Sequence, residues 1–101
     1  MTQPQLLDLF DEFAKNARLV IERKNKDYAN SDALSNFKMS ANIAGVKASV
    51  GCLNQIAIKV SRLGVLLNKD GVENEPISDT VLDLFNYSFL LQAILYDEAN
   101  V

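Results

Sequence analysis

Acidic side chains recur at helical spacing in the second half of this sequence. Asp79 and Asp83 lie four residues apart, and Glu75 lies four residues before Asp79. A helix would place these three carboxylates on one face. Carboxylates one turn apart can hold a hard cation such as Mg²⁺, which takes its other ligands from water and substrate phosphates. The spacing therefore predicts a possible metal site at Glu75, Asp79 and Asp83.

An earlier segment carries basic side chains at matching spacing. Two sets of polar residues share the same intervals of four and three: Gln55, Lys59 and Arg62, and Asp79, Asp83 and Asn86. If the two segments form antiparallel helices, Arg62 lies near Asp83. By the same reasoning Lys59 lies near Asn86. Lysine and arginine at such a seam can bind phosphate, so Lys59, Arg62 and Asn86 are candidate substrate-binding residues.

The same two stripes also allow a purely structural interpretation. Ion pairs Arg62–Asp83 and Lys59–Asp79 or Lys59–Asp83 would tie two helices together with nothing bound between them. Carboxylates inside a helical seam need such cations, because a buried charge without a partner is costly. Spacing alone leaves both interpretations open.

A second polar group lies where the first predicted helix runs into a loop. The stretch "ERKNKDYANSD", Glu22 to Asp32, contains Lys26 and Tyr28. Tyr28 offers a flat face for stacking a nucleobase and a hydroxyl for hydrogen bonding, and Lys26 offers a cation. These two residues are further candidates for substrate binding. The alternative is an ordinary helix C-terminus, where lysine complements the helix dipole.

The first half of the chain predicts two helices. Apolar residues on one helical face indicate a long first helix from about Gln5 to about Lys26. Those apolar residues are Leu6, Phe10, Phe13, Ala17 and Val20. A short second helix is expected from about Asn36 to Ala44, with Ser35 or Asn36 as its N-cap.

The second half predicts two more helices. After a connector bracketed by Gly45 and Gly51, apolar residues repeat at intervals of three and four through about Asn68. They are Leu53, Ile56, Val60, Leu63 and Leu67. Asp70-Gly71 favours a turn, and a fourth helix is expected from about Pro76 to about Glu98. Together these patterns predict a single all-α domain over residues 1–101, arranged like a four-helix bundle.

Composition narrows the possible functions. Hydrophobic residues make up 49% and charged residues 23% of the 101 residues, which is typical of a globular domain. The net charge of -3 disfavours DNA as a main partner. One cysteine and no histidine leave any metal to oxygen ligands. Because Met1 to Phe13 alternates leucine with acidic residues, and no uncharged stretch approaches a membrane span, we expect a cytoplasmic protein without a membrane partner.

The end of the predicted fourth helix is apolar around nearly its whole circumference. The stretch "SFLLQAILY", Ser88 to Tyr96, is interrupted only by Ser88 and Gln92. A helix on the outside of a small monomer should keep a solvated face. We therefore expect a second copy to cover it, in a homodimer or homotetramer. The alternative is a central helix wrapped by the other three helices of one chain.

Three stretches together resemble a known pattern: "KNKDYANSDALSNFK", "KVSRL" and "EPISDTVLDLFNY". They are similar to small, often phage-encoded proteins of the nucleotide-modification-associated type, which look like relatives of the MazG-like all-α nucleotide pyrophosphatases. The resemblance implies a helical bundle that oligomerises and a nucleotide ligand. In active relatives it also implies Mg²⁺-dependent hydrolysis of a nucleoside triphosphate to the monophosphate and pyrophosphate.

The likeness to the active enzymes is incomplete. Those enzymes carry Glu-x-x-Glu on one helix and Glu-x-x-Asp on the next. Asp83 resembles the last aspartate, but Thr80 stands three residues before it, and the nearest substitute carboxylate is Asp79. The preceding helix has no corresponding acidic pair. Two predictions follow from the likeness: a pyrophosphohydrolase with Asp79 and Asp83 as catalytic residues, or a non-catalytic binder of a nucleotide or nucleotide signal. A structural oligomeric protein of phage or mobile-element origin is the third alternative.

Overall fold

The chain is all-α and bundle-like, as the sequence predicts. The computed structural model describes residues 1–27, 32–71 and 73–100, with side chains described up to Lys24 in the first of these segments. Its helices are α1 (Gln3–Asp27), α2 (Ser35–Ala44), α3 (Ala48–Leu67) and α4 (Asn74–Ala99). Within these ranges α1 packs on α4, α2 packs on α3, and α3 packs on α4. The fourth helix is therefore the element that joins α1 to the rest of the fold.

The connector between α2 and α3 is shorter than predicted. Gly45 ends α2 in the left-handed conformation, with φ 73°, which glycine adopts without a steric penalty. Helix α3 already begins at Ala48, so Gly51 lies inside it rather than at the end of a connector. A Cβ built at Gly51 would lie 3.5 Å from the Cβ of Ala41. The glycine thus occupies a close helix-helix contact between α3 and α2.

The predicted N-cap of α2 is wrong. Leu34 occupies the N-cap position without a side-chain hydrogen bond, and Ser35 already lies within the helix. The carboxylate of Asp32 accepts a hydrogen bond from the Leu34 amide at 2.9 Å instead. Its other oxygen pairs with the Lys38 ammonium at 2.7 Å, and this bond lowers the pKa of Asp32. An aspartate two residues before the cap position thus organises the start of this helix.

Two polar contacts fasten the end of α4 to the neighbouring helices. Lys38 on α2 also pairs with Asp97 at 3.0 Å. Glu98 accepts hydrogen bonds from the amide and the hydroxyl of Ser49, both at 3.1 Å, at the first turn of α3. A carboxylate there satisfies an amide that has no partner within its own helix and complements the helix dipole. These contacts fix the C-terminal turns of α4 against α2 and α3.

Helix α4 begins two residues earlier than predicted. Glu73 is extended, with φ -68° and ψ 155°, and Asn74 is the first helical residue. Pro76 remains in the first turn, where its missing amide hydrogen removes no helical bond. The predicted turn at Asp70-Gly71 is confirmed by the positive φ of 78° at Gly71.

The fully buried apolar core of the described residues is small. It consists of Ala17, Ala41, Cys52 and Ile94. Edge-to-face contacts of Phe85 with Phe13 (5.2 Å between ring centroids) and Phe10 (6.4 Å) extend it between α1 and α4. The Cys52 thiol is 0% exposed and donates to the carbonyl of Tyr87 at 3.4 Å. Cys52 is therefore a small buried residue of this core.

Helix α3 is long and apolar, although it is not an uncharged stretch. By length and composition, Ala48–Leu67 is the single helix in the described ranges that could cross a bilayer. It nevertheless contains Lys59 and Arg62, and a core helix of a soluble protein passes the same criterion. Cys52 is its one buried residue, and several others, such as Ile56 and Leu63, are half-buried. The residues on another side of the helix, including Val50, Leu53 and Val60, are exposed. One side of α3 is therefore left uncovered by the other described helices.

The burial of Cys52 predicts an unreactive thiol. Burial raises the pKa of this group above its ordinary value, so the nucleophilic thiolate is scarce at pH 8 and is also shielded. We expect a disulfide reagent such as DTNB to label the folded protein more than about tenfold more slowly than the urea-unfolded chain. Equal labelling rates for the two states would contradict the packing of α3 on α4 described above.

Candidate functional site

The acidic and basic stripes meet at one ion pair. Lys59 Nζ on α3 lies 3.3 Å from Asp83 Oδ2 on α4, and both side chains are partly exposed. This is one of the pairings that the sequence left open. The alternative Arg62–Asp83 pair is absent: Arg62 is exposed and makes no ion pair with any described residue. Because α4 begins at Asn74 rather than Pro76, the midpoint of the turn lies earlier in the chain and Asp83 faces Lys59 instead.

The remaining carboxylates do not gather into a metal site. Glu75 and Asp79 are exposed, and Asp83 is paired with Lys59. Among the described residues, no three acidic or cysteine side chains form a group that could hold a metal ion. The predicted set of Glu75, Asp79 and Asp83 therefore does not fit a resident Mg²⁺, whose preferred ligands are several oxygens converging on one point.

Asn86 lies on a different face of α4 from the one predicted. The sequence places it beside Lys59 on the α3 side, whereas the structure directs it toward α1, where its Nδ2 donates to the carbonyl of Ala17 at 3.3 Å. The residue is only 6% exposed, and its Oδ1 has no hydrogen-bond partner among the described residues. A buried acceptor without a donor costs about 1–3 kcal/mol, so a group that satisfies it would be stabilising.

A pocket of about 90 Å³ opens beside Asn86, between α1, α4 and the start of α2. We call it the Asn86 pocket. Its apolar wall is formed by Val20, Ile21, Ala33, Phe37, Tyr87 and Leu90. Its polar groups are Lys24, Asn36, Asp83 and Asn86. Apolar walls with a few converging polar groups are the usual composition of a small-molecule site.

Tyr87 forms the aromatic wall of this pocket. The ammonium of Lys24 lies 5.9 Å from the centroid of the Tyr87 ring, within the range of a cation–π contact. Phe37 meets the same ring edge to face, with centroids 6.2 Å apart. A second hollow of about 140 Å³ adjoins this aromatic pair and includes Ser40 and Gln55. The rings of Phe37 and Tyr87 thus lie between the largely apolar Asn86 pocket and this second, more polar pocket.

The structure brings together only part of the predicted site. Asp83 and Asn86 both line the Asn86 pocket, and Lys59 reaches Asp83 from the opposite side of α4. Lys26 and Tyr28 lie outside the described residues, Lys26 in its side chain and Tyr28 entirely. Their predicted contacts stay predictions.

Four pocket residues that could contact a ligand were not among the predicted site residues: Lys24, Asn36, Phe37 and Tyr87. Asn36 and Phe37 follow the polar loop and stand within the first turn of α2, and Tyr87 directly follows Asn86. Their proximity in space depends on how α2 packs against α3 and α4. The sequence feature that could have indicated the last three of these is an aromatic residue directly after an asparagine at two places, Asn36-Phe37 and Asn86-Tyr87.

In comparisons with protein-family models, curated proteins and solved structures, nothing matches this chain. The MazG-like resemblance consequently stays an interpretation of short motifs.

The observed pairing predicts a specific energetic coupling. In a double-mutant cycle of Lys59→Met and Asp83→Asn, we expect a coupling free energy of about 0.5–1 kcal/mol, since the pair is only partly exposed. Chemical unfolding of the four proteins measures it. The matched cycle of Arg62→Met with Asp83→Asn should show no coupling. A larger coupling for Arg62 than for Lys59 would show that the register of α3 against α4 is wrong.

Proposed function

We propose that this protein binds a nucleotide, with the nucleobase entering the Asn86 pocket. The observation that carries the proposal is the buried Asn86 Oδ1, which lacks a donor among the described residues and belongs to a residue that lines the pocket. A buried acceptor of this kind is satisfied by an N–H group of a ligand or by water. Nucleobases present amino and imino N–H groups along one edge of a flat ring.

The walls of the pocket suit a planar ring. Tyr87 and Phe37 offer aromatic surface, and Val20, Ile21 and Leu90 offer aliphatic surface. A planar ring buries apolar faces against such walls while its edge keeps hydrogen-bonding groups for an amide. A fully charged ligand group would lose its hydration in this pocket with little compensation.

The volume of the pocket supports the entry of a base rather than a whole nucleotide. A pocket of about 90 Å³ is far smaller than the roughly 300–1,000 Å³ of a site for a drug-sized ligand. The sugar and phosphates would then extend outward past Lys24, which is exposed and lies over the Tyr87 ring. Lys24 is the one lysine or arginine among the described residues that line the pocket, and it makes no ion pair with a described carboxylate. It can bind a phosphate as a point charge.

Binding has more support than hydrolysis in this geometry. The MazG-like resemblance implies pyrophosphohydrolysis through Asp79 and Asp83. Asp79 is exposed, Asp83 is paired with Lys59, and neither belongs to a group of three acidic side chains among the described residues. A non-catalytic binder of a nucleotide or a nucleotide signal is therefore the function that we propose.

Replacing Asn86 with leucine should separate binding from stability. Asn86→Leu removes a buried acceptor that has no donor among the described residues, but also the hydrogen bond from Nδ2 to the carbonyl of Ala17, and it keeps a similar volume. The melting temperature should therefore change little. Nucleotide affinity should fall by about tenfold or more, since the base loses its hydrogen-bond partner in the pocket. Isothermal titration calorimetry with each common nucleoside triphosphate, without metal, measures the affinity, and thermal unfolding measures the stability.

The matched control is Asn16→Leu, the same substitution at an exposed position of α1. It should leave the affinity unchanged. The proposal fails if no nucleotide binds the wild-type protein, or if Asn86→Leu binds as tightly as Asn16→Leu. Release of pyrophosphate on adding Mg²⁺ to the same titration would restore the hydrolase prediction.

A further inference from the structure

We propose that a second copy of this chain packs against the exposed face of α3, at a surface distinct from the Asn86 pocket. This surface, the α3 seam, consists of Val50, Leu53, Ala57, Val60, Gly64 and Leu67. All six residues are exposed. None of them is charged or polar, whereas the outward face of a solvated helix normally carries charged residues.

The spacing of the α3 seam indicates another helix as its partner. Its members follow one another at intervals of three, four, three, four and three residues. This alternation of three and four is close to the 3.5-residue repeat that keeps one apolar stripe facing a neighbouring helix along its length. The helices of the same chain do not supply that neighbour, because α2 and α4 pack on other faces of α3. A helix from outside the chain is required.

Packing within the chain does not explain why position 64 of the seam is a glycine. Gly64 lies inside α3, where glycine is less favourable than alanine. A Cβ built at Gly64 would meet no atom within 4 Å among the described residues. Nothing there needs the absence of a side chain. A second helix approaching closely at Gly64 and Ala57 gives both small residues a packing role.

The single chain exposes more surface than a compact monomer of its mass, as expected for a subunit separated from its partner. The chain exposes 7674 Å². A compact folded monomer of 11.2 kDa exposes about 5,700 Å². The difference of roughly 2,000 Å² is more than twice the ~800 Å² that each partner buries in a standard interface, and it lies in the range of obligate homodimers. The radius of gyration of 15.5 Å also exceeds the roughly 12.7 Å of a compact chain of this length.

A second copy fits this face better than a lipid bilayer does. Helix α3 has the length and apolar composition of a membrane span, but Lys59 and Arg62 lie within it. Charged residues in the middle of a span oppose insertion. The apolar residues of the seam also lie along one stripe, whereas a lone spanning helix faces lipid on all sides. A two-fold dimer buries the same stripe on both copies and needs no charge complementarity.

Two matched substitutions on α3 test the proposal. Val60 belongs to the seam and is 53% exposed, whereas Val65 lies outside the seam and is 64% exposed. In an isolated chain, glutamate at either position would be solvated, so both variants should fold, as circular dichroism will check. Light scattering at micromolar concentration should give a wild-type mass at least twice 11.2 kDa. Val60→Glu should weaken association by at least about 100-fold, because each copy places a carboxylate in an apolar interface, and Val65→Glu should not.

Gly64→Leu provides a second variant that does not introduce charge. The site has open space in its own chain, so the fold should tolerate leucine while close approach of a second helix is blocked. A wild-type mass of 11.2 kDa would overturn the proposal. So would equal dissociation by Val60→Glu and Val65→Glu, or association unchanged in both Val60→Glu and Gly64→Leu. Co-sedimentation of the wild-type protein, but not of Val60→Glu, with neutral phosphatidylcholine vesicles would assign the face to a bilayer instead.

Discussion

The fold depends on α4 presenting two different faces to two different helices. Within the described residues α1 packs on α4 alone, while α3 packs on another side of the same helix. Asp83 lies where these two sides meet: its carboxylate pairs with Lys59 on α3, and the residue also lines the pocket next to α1. One turn further along, Asn86 binds the backbone of α1. The position of α1 on α4 therefore determines whether the pocket exists.

That arrangement leaves a polar atom where a packed core would place an apolar one. The Oδ1 of Asn86 is buried at a helix-helix contact without a donor among the described residues, a state that costs about 1–3 kcal/mol and that an apolar side chain would avoid. Residues that lower stability in this way are typical of functional sites. The surrounding aromatic and aliphatic walls lower the local dielectric around the amide, which strengthens a hydrogen bond made to it. We interpret the pocket as a site that gains stability on binding.

The sequence predicted the helices well because their apolar periodicity is a local property. It predicted the position of Asn86 badly, because the rotation of α4 about its axis depends on contacts with α1 that no local pattern encodes. The apolar repeat of α3 correctly predicts a helix, yet its members differ in burial: Ile56 and Leu63 are half-buried while Val60 is exposed. The apolar repeat therefore combines residues of two surfaces of α3, one packed against the chain's own helices and one exposed. Only the tertiary structure shows which of them the chain covers itself.

We propose that the buried amide of Asn86 contacts a bound nucleotide. The most direct test of this proposal is a two-dimensional ¹H–¹⁵N NMR titration of the wild-type protein with nucleoside triphosphates in the absence of metal. We predict that the side-chain NH₂ signal of Asn86 shifts together with backbone signals of Tyr87 and Phe37, which line the same pocket. Shifts confined to the exposed region around Glu75 and Asp79, with the Asn86 signal unchanged, would contradict the account.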